Sequence, residues 1–248
     1  MENIVFGLRP VIEAIEAGRQ IEKIYIKKGA DGQLLGELRE IARAQRIHIQ
    51  DVPLEKLDRL VKRGANHQGV VAQISAIVYS DIEEILAAIP EGKAGLVVVF
   101  DGVTDVRNFG GIARTAECAG ADGLIVPAKN AAPVNADALK ASAGALNIIP
   151  VSRVGSVRNA LKMLQTEGFQ VVAATEKAGA TLYEADFTVP TAIVMGSEET
   201  GISKEVLKLC DAQVAIPMRG KIGSLNVAAA AAVVLYEVVR QRVGKAKD

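Results

Sequence analysis

The chain contains no tryptophan, two cysteines, two histidines and no net charge across its 248 residues. No apolar run reaches the roughly 18 residues that a membrane-spanning helix requires; the longest run, Val227–Tyr236, is followed by Glu237. The amino terminus lacks a basic segment followed by an apolar run, so we expect no signal peptide and a cytoplasmic location. The balanced charge argues against a strongly basic nucleic-acid-binding protein.

Neither cysteine belongs to a recognisable metal-binding pattern. Cys118 and Cys210 lack the short cysteine or histidine spacing that zinc sites use. We interpret each as a small core residue on a helix, which is consistent with a reducing cytoplasm. We therefore expect no bound metal.

The distribution of charge divides the chain into three parts. Residues 1–75 carry 12 basic and 10 acidic side chains, a net charge of +2. Residues 76–92 carry four acidic side chains and no basic one, a net charge of −4, and end with Pro90 and Gly92, which break regular structure. Residues 93–248 carry 17 basic and 15 acidic side chains, a net charge of +2. We predict a first domain, a linker and a second domain with these bounds.

The first predicted domain alternates between helical and strand patterns, which indicates a compact αβα unit. Apolar residues recur at a period of about 3.6 in the helical segments and are concentrated in short runs in the strand segments. The predicted helices are Gly7–Gly18, Leu34–Gln45 and Leu54–Val61, and the predicted strands are Ile21–Ile26, Ile47–Val52 and Val70–Ile74.

The second predicted domain contains six short segments rich in valine, isoleucine and alanine. They lack apolar–polar alternation, which is typical of strands in a parallel sheet that helices cover on both faces. The turn G-x-G-x-x-G of dinucleotide-binding folds is missing after the first of them. We predict an α/β domain with a parallel sheet. Its predicted strands are Leu96–Phe100, Gly123–Val126, Ile148–Val151, Gln170–Ala174, Ala192–Met195 and Gln213–Pro217.

Polar residues follow the first strand of this predicted sheet. Asn108, Gly110 and Gly111 are predicted to form the turn into a helix, with Arg114 on the first turns of that helix. Open α/β sheets usually bind ligands beyond the carboxyl ends of their strands. The amide and the guanidinium are therefore candidate site groups, although many strand–glycine–helix turns are purely structural.

Two later segments repeat this arrangement. Gly196 and Glu198 stand in a polar loop after the fifth predicted strand, and Ser224 and Asn226 stand at the start of a long helix predicted over Asn226–Arg242. Serine and asparagine favour helix starts because their side chains accept hydrogen bonds from free backbone N–H groups. Such a start is either an ordinary cap or a place where a polar ligand approaches the backbone.

Taken together, the three segments resemble motifs 1, 2 and 3 of the SPOUT methyltransferases, in the TrmH-type branch of RNA ribose 2′-O-methyltransferases. The pattern N-x-G-x-x-x-R-T-A begins at Asn108, G-S-E-x-x-G-I begins at Gly196, and I-P-M-x-G…S-L-N-V begins at Ile216. The segments FGLRPVIEAI and HQGVVAQI resemble the amino-terminal RNA-binding domain of the bacterial RlmB group. The resemblance covers the whole chain, with one departure: Ala228 stands where many relatives have serine.

The resemblance implies an S-adenosyl-L-methionine-dependent methyltransferase that acts on a ribose 2′-oxygen and carries a carboxyl-terminal trefoil knot. It points to a guanosine in 23S rRNA as the substrate; a tRNA ribose methyltransferase and a non-catalytic RNA-binding or ribosome-assembly protein are the alternatives. It also implies a homodimer packed through the knot region. In that dimer, Arg114 or Asn108 of one subunit would help to complete the site that carries Asn226 of the other.

The residue roles also follow from the resemblance. Arg114 is implied to lie nearest the reacting ribose. Because arginine is normally always protonated, it acts either as an unusual base or as a phosphate ligand that stabilises developing charge. The catalytic set is Arg114, Asn108, Glu198, Ser224 and Asn226. The cofactor-binding set is Gly196, Ile216, Leu225, Met195, Met218 and Asn226.

The first domain resembles a small RNA-binding fold found in some ribosomal proteins. Basic residues at the ends of its predicted elements are candidates for phosphate contacts, although surface lysine and arginine are also often only solvated. His67 precedes the last predicted strand and either contacts RNA or braces its loop. The RNA-binding candidates are Arg9, Lys27, Lys28, Lys62 and Arg63.

Overall fold

A computed structural model of the protein describes residues 4–45, 47–62 and 64–245. The chain divides into two compact units. The first unit comprises the residues up to 78 together with 133–136, and the second comprises 79–132 and the residues from 137 onward. The division at Val78 and Tyr79 lies three residues beyond the predicted end of the first domain.

The first unit is a four-stranded sheet with helices on both faces. Its elements are β1 (Ile4–Phe6), α1 (Leu8–Glu16), β2 (Ile21–Lys27), α2 (Gln33–Ala44), β3 (Ile49–Val52), α3 (Leu54–Leu60) and β4 (Val70–Ile74). The strand order is β1-β4-β2-β3. Strand β4 runs antiparallel to β1 and β2, whereas β2 and β3 are parallel. Strand β1 was not predicted, because three residues are too few to show a pattern.

The two faces of this sheet have separate cores. Helices α1 and α2 pack on one face, where they bury Ile24 and Ile26 of β2. Tyr25 points to the opposite face and packs with Val52, Leu57 and other residues beside α3. This alternation is the strand period of two, and it places the odd-numbered residues from Lys23 to Lys27 on the α3 face.

The second unit is a seven-stranded sheet flanked by helices. The strand order is β7-β6-β5-β10-β8-β11-β9, and each neighbouring pair is parallel. Two 3₁₀ turns, Ala145–Asn147 and Leu182–Glu184, interrupt its connections. Its elements are α4 (Ile82–Ala87), β5 (Leu96–Asp101), α5 (Val106–Cys118), β6 (Gly123–Pro127), α6 (Ala136–Ala141), β7 (Val151–Val154), α7 (Val157–Thr166), β8 (Gln170–Ala174), β9 (Ala180–Thr181), β10 (Thr191–Gly196), α8 (Lys204–Leu207), β11 (Ala212–Ala215) and α9 (Val227–Lys245).

The prediction of a parallel sheet covered on both faces is confirmed. Every residue of β10 is buried, as are Leu96 to Phe100 of β5. The knot stays a prediction. Across the described residues, no helix combines the length and the apolar character needed to cross a bilayer.

Three details of the sequence interpretation are wrong. The strand predicted over Ile148–Val151 is shifted, because β7 begins at Val151, after Pro150, which has no N–H to donate to a sheet. Cys118 is exposed at the end of α5 rather than in the core. Cys210 is partly buried but lies outside any helix, and burial, followed by the nearby carboxylates of Asp211 and Asp101, raises the pKa of its thiol to about 12. That thiol therefore stays protonated near neutral pH.

The segment predicted as a linker contains a packed helix. Helix α4 begins with a capping box, in which the side chains of Asp81 and Glu84 each accept a hydrogen bond from the backbone N–H group of the other residue. Ile82 is buried in the core of the second unit, and Leu86 and Ile89 pack against that core. Residues 79–92 are thereby an integral part of the second unit.

Candidate active site

The site is built where three strands of the second sheet end. Strands β5, β10 and β11 are parallel members of one sheet, so their carboxyl ends lie at the same edge. The segments that follow them are the three regions with predicted site residues. Sheet topology thus brings residues that are far apart in sequence to one edge.

The loop after β10 folds back tightly on its own strand. Ser197 and Gly201 exchange backbone hydrogen bonds of 3.1 and 2.9 Å. A Cβ atom on Gly196 would lie 2.4 Å from backbone atoms of Gly201 and Ile202, so this return requires glycine at position 196. The turn leaves Glu198 exposed at the edge of the sheet.

Helix α5 begins earlier than the sequence interpretation placed it. Asp105 is the N-cap, and its side chain accepts hydrogen bonds from the backbone N–H groups of Arg107 and Asn108 at 2.8 and 3.0 Å. Asn108, Gly110 and Gly111 therefore lie inside the first turns of α5 rather than in a turn before it. The correction follows from the carboxylate at Asp105, which is a strong N-cap residue.

Asn226 connects the three segments. Its Nδ2 donates to Asn108 Oδ1 at 3.0 Å and to Glu198 Oε1 at 2.5 Å. Its Oδ1 accepts from the backbone N–H groups of Ala228 and Ala229 at 3.0 and 3.3 Å, so the same side chain starts α9. One residue from each of the three predicted motifs thus belongs to a single hydrogen-bonded cluster. Asn108 and Asn226 meet within one chain, so Asn108 does not need a second subunit to reach this cluster.

A pocket of about 350 Å³ opens beside this cluster. This volume lies within the range of small-molecule sites. The loops after β10 and β11 form much of its wall. They line the pocket with main-chain groups, apolar side chains and the carboxylate of Glu198. The six predicted cofactor-binding residues all line it, namely Gly196, Ile216, Leu225, Met195, Met218 and Asn226, as do Glu198 and Ser224.

Sequence reasoning missed one wall of the pocket. Thr175, Glu176 and Lys177 line it from the loop after β8. The Lys177 ammonium lies 3.9 Å from the Glu176 carboxylate. The available signal was the polar triplet directly after a buried strand, which is the position from which the other loops were selected.

Arg114 lies apart from the pocket. It is exposed on α5, six residues beyond Asn108, which corresponds to about 9 Å along a helix axis. It is not among the residues that line the pocket. Within one chain, the structure therefore brings together four of the five predicted catalytic residues and leaves Arg114 on the neighbouring surface.

A parallel α/β sheet with a pocket lined by the loops after β8, β10 and β11 has the arrangement in which such sheets bind ligands. Residues 95–236 match the family model of the SpoU rRNA methylases, and residues 4–80 match the model for substrate binding by RNA 2′-O ribose methyltransferases. The chain belongs to the SpoU methylase family.

Relatives extend this assignment over the whole chain. A protein of Staphylococcus haemolyticus that carries the name of a TrmH family tRNA/rRNA methyltransferase is 38% identical over 98% of this chain and 97% of its own. An AdoMet-bound rRNA methyltransferase of Sinorhizobium meliloti is 26% identical, with a TM-score of 0.60 over 96% of this chain and 87% of that one. The TrmH/SpoU tRNA-modifying enzyme of A. aeolicus is 30% identical, with a TM-score of 0.58, over 66% of this chain and 83% of its own.

These findings establish the reaction class. The protein is an S-adenosyl-L-methionine-dependent RNA 2′-O-methyltransferase of the TrmH/SpoU family. The family prediction made from the three motifs is confirmed.

Proposed function

We propose that the protein methylates the ribose 2′-oxygen of a guanosine in 23S rRNA. The observation that carries this proposal is the extent of each match. The solved rRNA methyltransferase corresponds to 96% of this chain, whereas the solved tRNA-modifying enzyme corresponds to 66%. An rRNA substrate accounts for the additional first unit, which resembles substrate-binding domains of this enzyme class. The choice of guanosine as the modified nucleotide rests on the sequence resemblance to the RlmB group.

In this proposal the first unit, predicted over residues 1–75, holds the RNA. Four of its candidate phosphate ligands, Arg9, Lys27, Lys28 and Lys62, are exposed. The fifth, Arg63, lies outside the described residues. Exposed cations of this kind bind phosphates without reading sequence, so they contribute affinity, and the second unit selects the nucleotide that is modified.

The cofactor is assigned to the pocket at the carboxyl edge of the second sheet. S-adenosyl-L-methionine, when bound, supplies a methyl group on a positively charged sulfonium, which needs no Lewis acid. Gly196, Ile216 and Leu225 offer main-chain groups to its polar ends, and Met195 and Met218 offer apolar surface. The carboxylate of Glu198 favours a positive charge in the pocket, and Asn226 holds that carboxylate in place.

Arg114 is assigned to the RNA side of the reaction. Its exposed guanidinium is suited to bind the phosphate beside the target ribose and to stabilise charge that develops on the 2′-oxygen. Arg114→Ala should nearly abolish methyl transfer and leave the affinity for S-adenosylhomocysteine unchanged in calorimetry. Loss of cofactor binding in a folded Arg114→Ala protein would contradict this assignment.

We further propose that the active form is a homodimer in which Arg114 of one subunit serves the pocket of the other. The position of Arg114 outside the pocket of its own chain supports this arrangement. Refolding a mixture of inactive Arg114→Ala and Asn226→Ala proteins tests it. In a shared site, each heterodimer has one intact site out of two. Random pairing makes about half of the dimers heterodimers, so roughly a quarter of wild-type activity should return. If both residues act within one chain, no activity returns.

The substrate is tested by mapping. Sites of 2′-O-methylation are compared in 23S rRNA and tRNA from a strain with and without the gene, and the purified protein is then offered each unmodified RNA. Loss of one rRNA guanosine methyl group, restored in vitro, supports the proposal. Loss of a tRNA methyl group would instead establish the tRNA alternative.

A further inference from the structure

The first unit contains a cleft that none of the catalytic assignments uses. The cleft has a volume of about 400 Å³ and lies between the end of β2, the start of α3 and the loop before β4. Its lining includes one cation, one exposed leucine and two side-chain amides. The residues that matter here are Lys27, Leu54, Asn66, His67 and Gln68.

The wall before β4 is held in a defined shape. The backbone N–H of Gly69 donates to His67 Nδ1 at 3.0 Å, and His67 Nε2 lies 3.0 Å from Asp58 Oδ1. Since Nδ1 accepts a hydrogen bond, the ring proton belongs on Nε2, where it is donated to the carboxylate. Gln68 has a φ of +49° and accepts a hydrogen bond from the backbone of Leu8. His67 is thus 94% buried and braces its loop, while Asn66 stays exposed beside the cleft.

Positive charge accumulates along the same face of the sheet. Lys23, Tyr25 and Lys27 alternate with core residues of β2, so they stand about 6.6 Å apart in a row. The ammonium groups of Lys23 and Lys56 lie 5.9 and 5.2 Å from the centre of the Tyr25 ring. Burial, and next the charge of Lys56, lowers the pKa of Lys23, and the carboxylate of Glu22 partly opposes this shift.

These lysines are not neutralised by ion pairs. Within residues 4–45, 47–62 and 64–78, the carboxylate of Asp51 pairs with Arg39, and the carboxylate of Asp58 accepts a hydrogen bond from His67. In the same ranges, Lys23, Lys27 and Lys56 form no ion pair. The Tyr25 ring attracts the two ammonium groups that lie near it, and lysines without an ion-pair partner remain able to bind the phosphates of an RNA strand.

We propose that this cleft binds one unpaired nucleotide of the RNA substrate. The base packs against the Leu54 side chain, which is 41% exposed, and its edge meets the amide of Asn66. Lys27 at the cleft, with Lys23 and Lys56 further along the same face of the sheet, holds the neighbouring phosphates. The cleft is sized for a single nucleotide, and unpaired bases are the parts of RNA that insert into pockets. The inference rests on the proposed role of the first unit in holding RNA.

The test uses the full-length protein and two probes. One probe is a 12-nucleotide single-stranded RNA with 2-aminopurine at its centre, and the other is the 12-base-pair RNA duplex of the same sequence. Lys27→Ala and Lys56→Ala should each lower the slope of log affinity against log salt by about 0.7 for the single strand. Leu54→Ala should weaken single-strand binding about fivefold at every salt concentration without changing the slope. Asn66→Asp, which also places a carboxylate in the cleft with Lys27, should weaken binding at least as much, and most at low salt.

Asn66→Asp is chosen because it keeps the oxygen that accepts from the backbone of Gln68 and removes the amide donor. Arg43→Ala is the matched control, because Arg43 is exposed on α2, which packs on the opposite face of the sheet. Far-UV circular dichroism and S-adenosylhomocysteine calorimetry should give wild-type results for every variant.

Two results would overturn the inference. Single-strand affinities of Leu54→Ala and Asn66→Asp equal to wild type would exclude a nucleotide in the cleft. Equal losses for single strand and duplex would show that no base enters it. Neither result depends on which RNA is methylated, so the rRNA assignment and the cleft can fail independently.

Discussion

Replacing Asn226 with aspartate is expected to separate two roles of one side chain. Its Oδ1 caps α9 by accepting hydrogen bonds from two backbone N–H groups, and its Nδ2 donates to Asn108 and Glu198. Aspartate is as good an N-cap as asparagine. It has no N–H to donate, so Asn226→Asp keeps the helix start and breaks the cluster. Asn226→Ala removes both.

The expected effects on stability are modest because the site is exposed. Losing the cap costs about 1 kcal/mol, and each lost hydrogen bond costs about 0.5–1 kcal/mol at a solvated position. Asn226→Asp also places a carboxylate beside Glu198, and two such charges about 4 Å apart repel by about 1 kcal/mol in a water-like environment. We therefore expect a loss of about 2–3 kcal/mol for either variant, from two hydrogen bonds and the repulsion in Asn226→Asp and from two hydrogen bonds and the cap in Asn226→Ala.

The effect on methyl transfer should be much larger. Glu198 and Asn108 lose the group that positions them, and a misplacement of about 1 Å at a reacting centre costs about 100-fold in rate. Both variants should lose about that factor, although only one of them loses the cap. The measurements are urea unfolding followed by circular dichroism and transfer of tritiated methyl groups to total RNA from a deletion strain. Asn159→Asp, at an exposed position of α7, is the control. Wild-type activity in Asn226→Asp would reduce Asn226 to a helix cap and refute the reasoning.

Three further changes probe other parts of the second unit. Gly196→Ala should weaken S-adenosylhomocysteine binding at least tenfold in calorimetry, because the new Cβ would lie 2.4 Å from the returning loop; Gly179→Ala, with open space around it, should bind normally. Arg242→Ala should lower the free energy of unfolding by about 3 kcal/mol in urea, because the guanidinium donates to four backbone carbonyls; an effect below 1 kcal/mol would contradict this. Hydrogen bonding from Arg240 lowers the pKa of Glu237 in the folded state. The ionised Glu237 therefore stabilises the fold at neutral pH, and this contribution is lost as pH falls below about 4.3. In Glu237→Gln, the free energy of unfolding should depend less on pH over that acid range.

Much of the architecture could be predicted because the strands differ clearly in pattern from their surroundings. Val70–Ile74 and Gln170–Ala174 have the predicted bounds, since polar or glycine-containing turns isolate both runs. Ala180–Thr181 could not be predicted, because two residues form a strand there only by pairing with β11. Ile148 misled the prediction of β7: it is apolar but 71% exposed and lies before Pro150.

The site was predictable in its membership and less so in its geometry. Sequence motifs identify Asn108, Glu198 and Asn226, but no local pattern indicates that they share hydrogen bonds across 118 and 28 positions of sequence. That contact depends on strand order, which places β10 beside β5. The loop with Thr175 was not predicted to line the pocket, because it lacks the glycine-rich turn by which the other site loops were selected.

The interior of α5 shows how the contact between distant motifs is made possible. Gly110 and Gly111 lie inside a helix, where each glycine costs about 1 kcal/mol relative to alanine. A Cβ on Gly110 would lie 2.4 Å from the Ala141 Cβ, and one on Gly111 would lie 3.3 Å from the Ala228 Cβ at the start of α9. The two glycines therefore allow α5 to approach its neighbours more closely than alanine would. Because Asn108 and Asn226 stand at the starts of α5 and α9, a wider separation would lengthen their 3.0 Å hydrogen bond. Local helix stability is lower here so that the first and third motifs can meet.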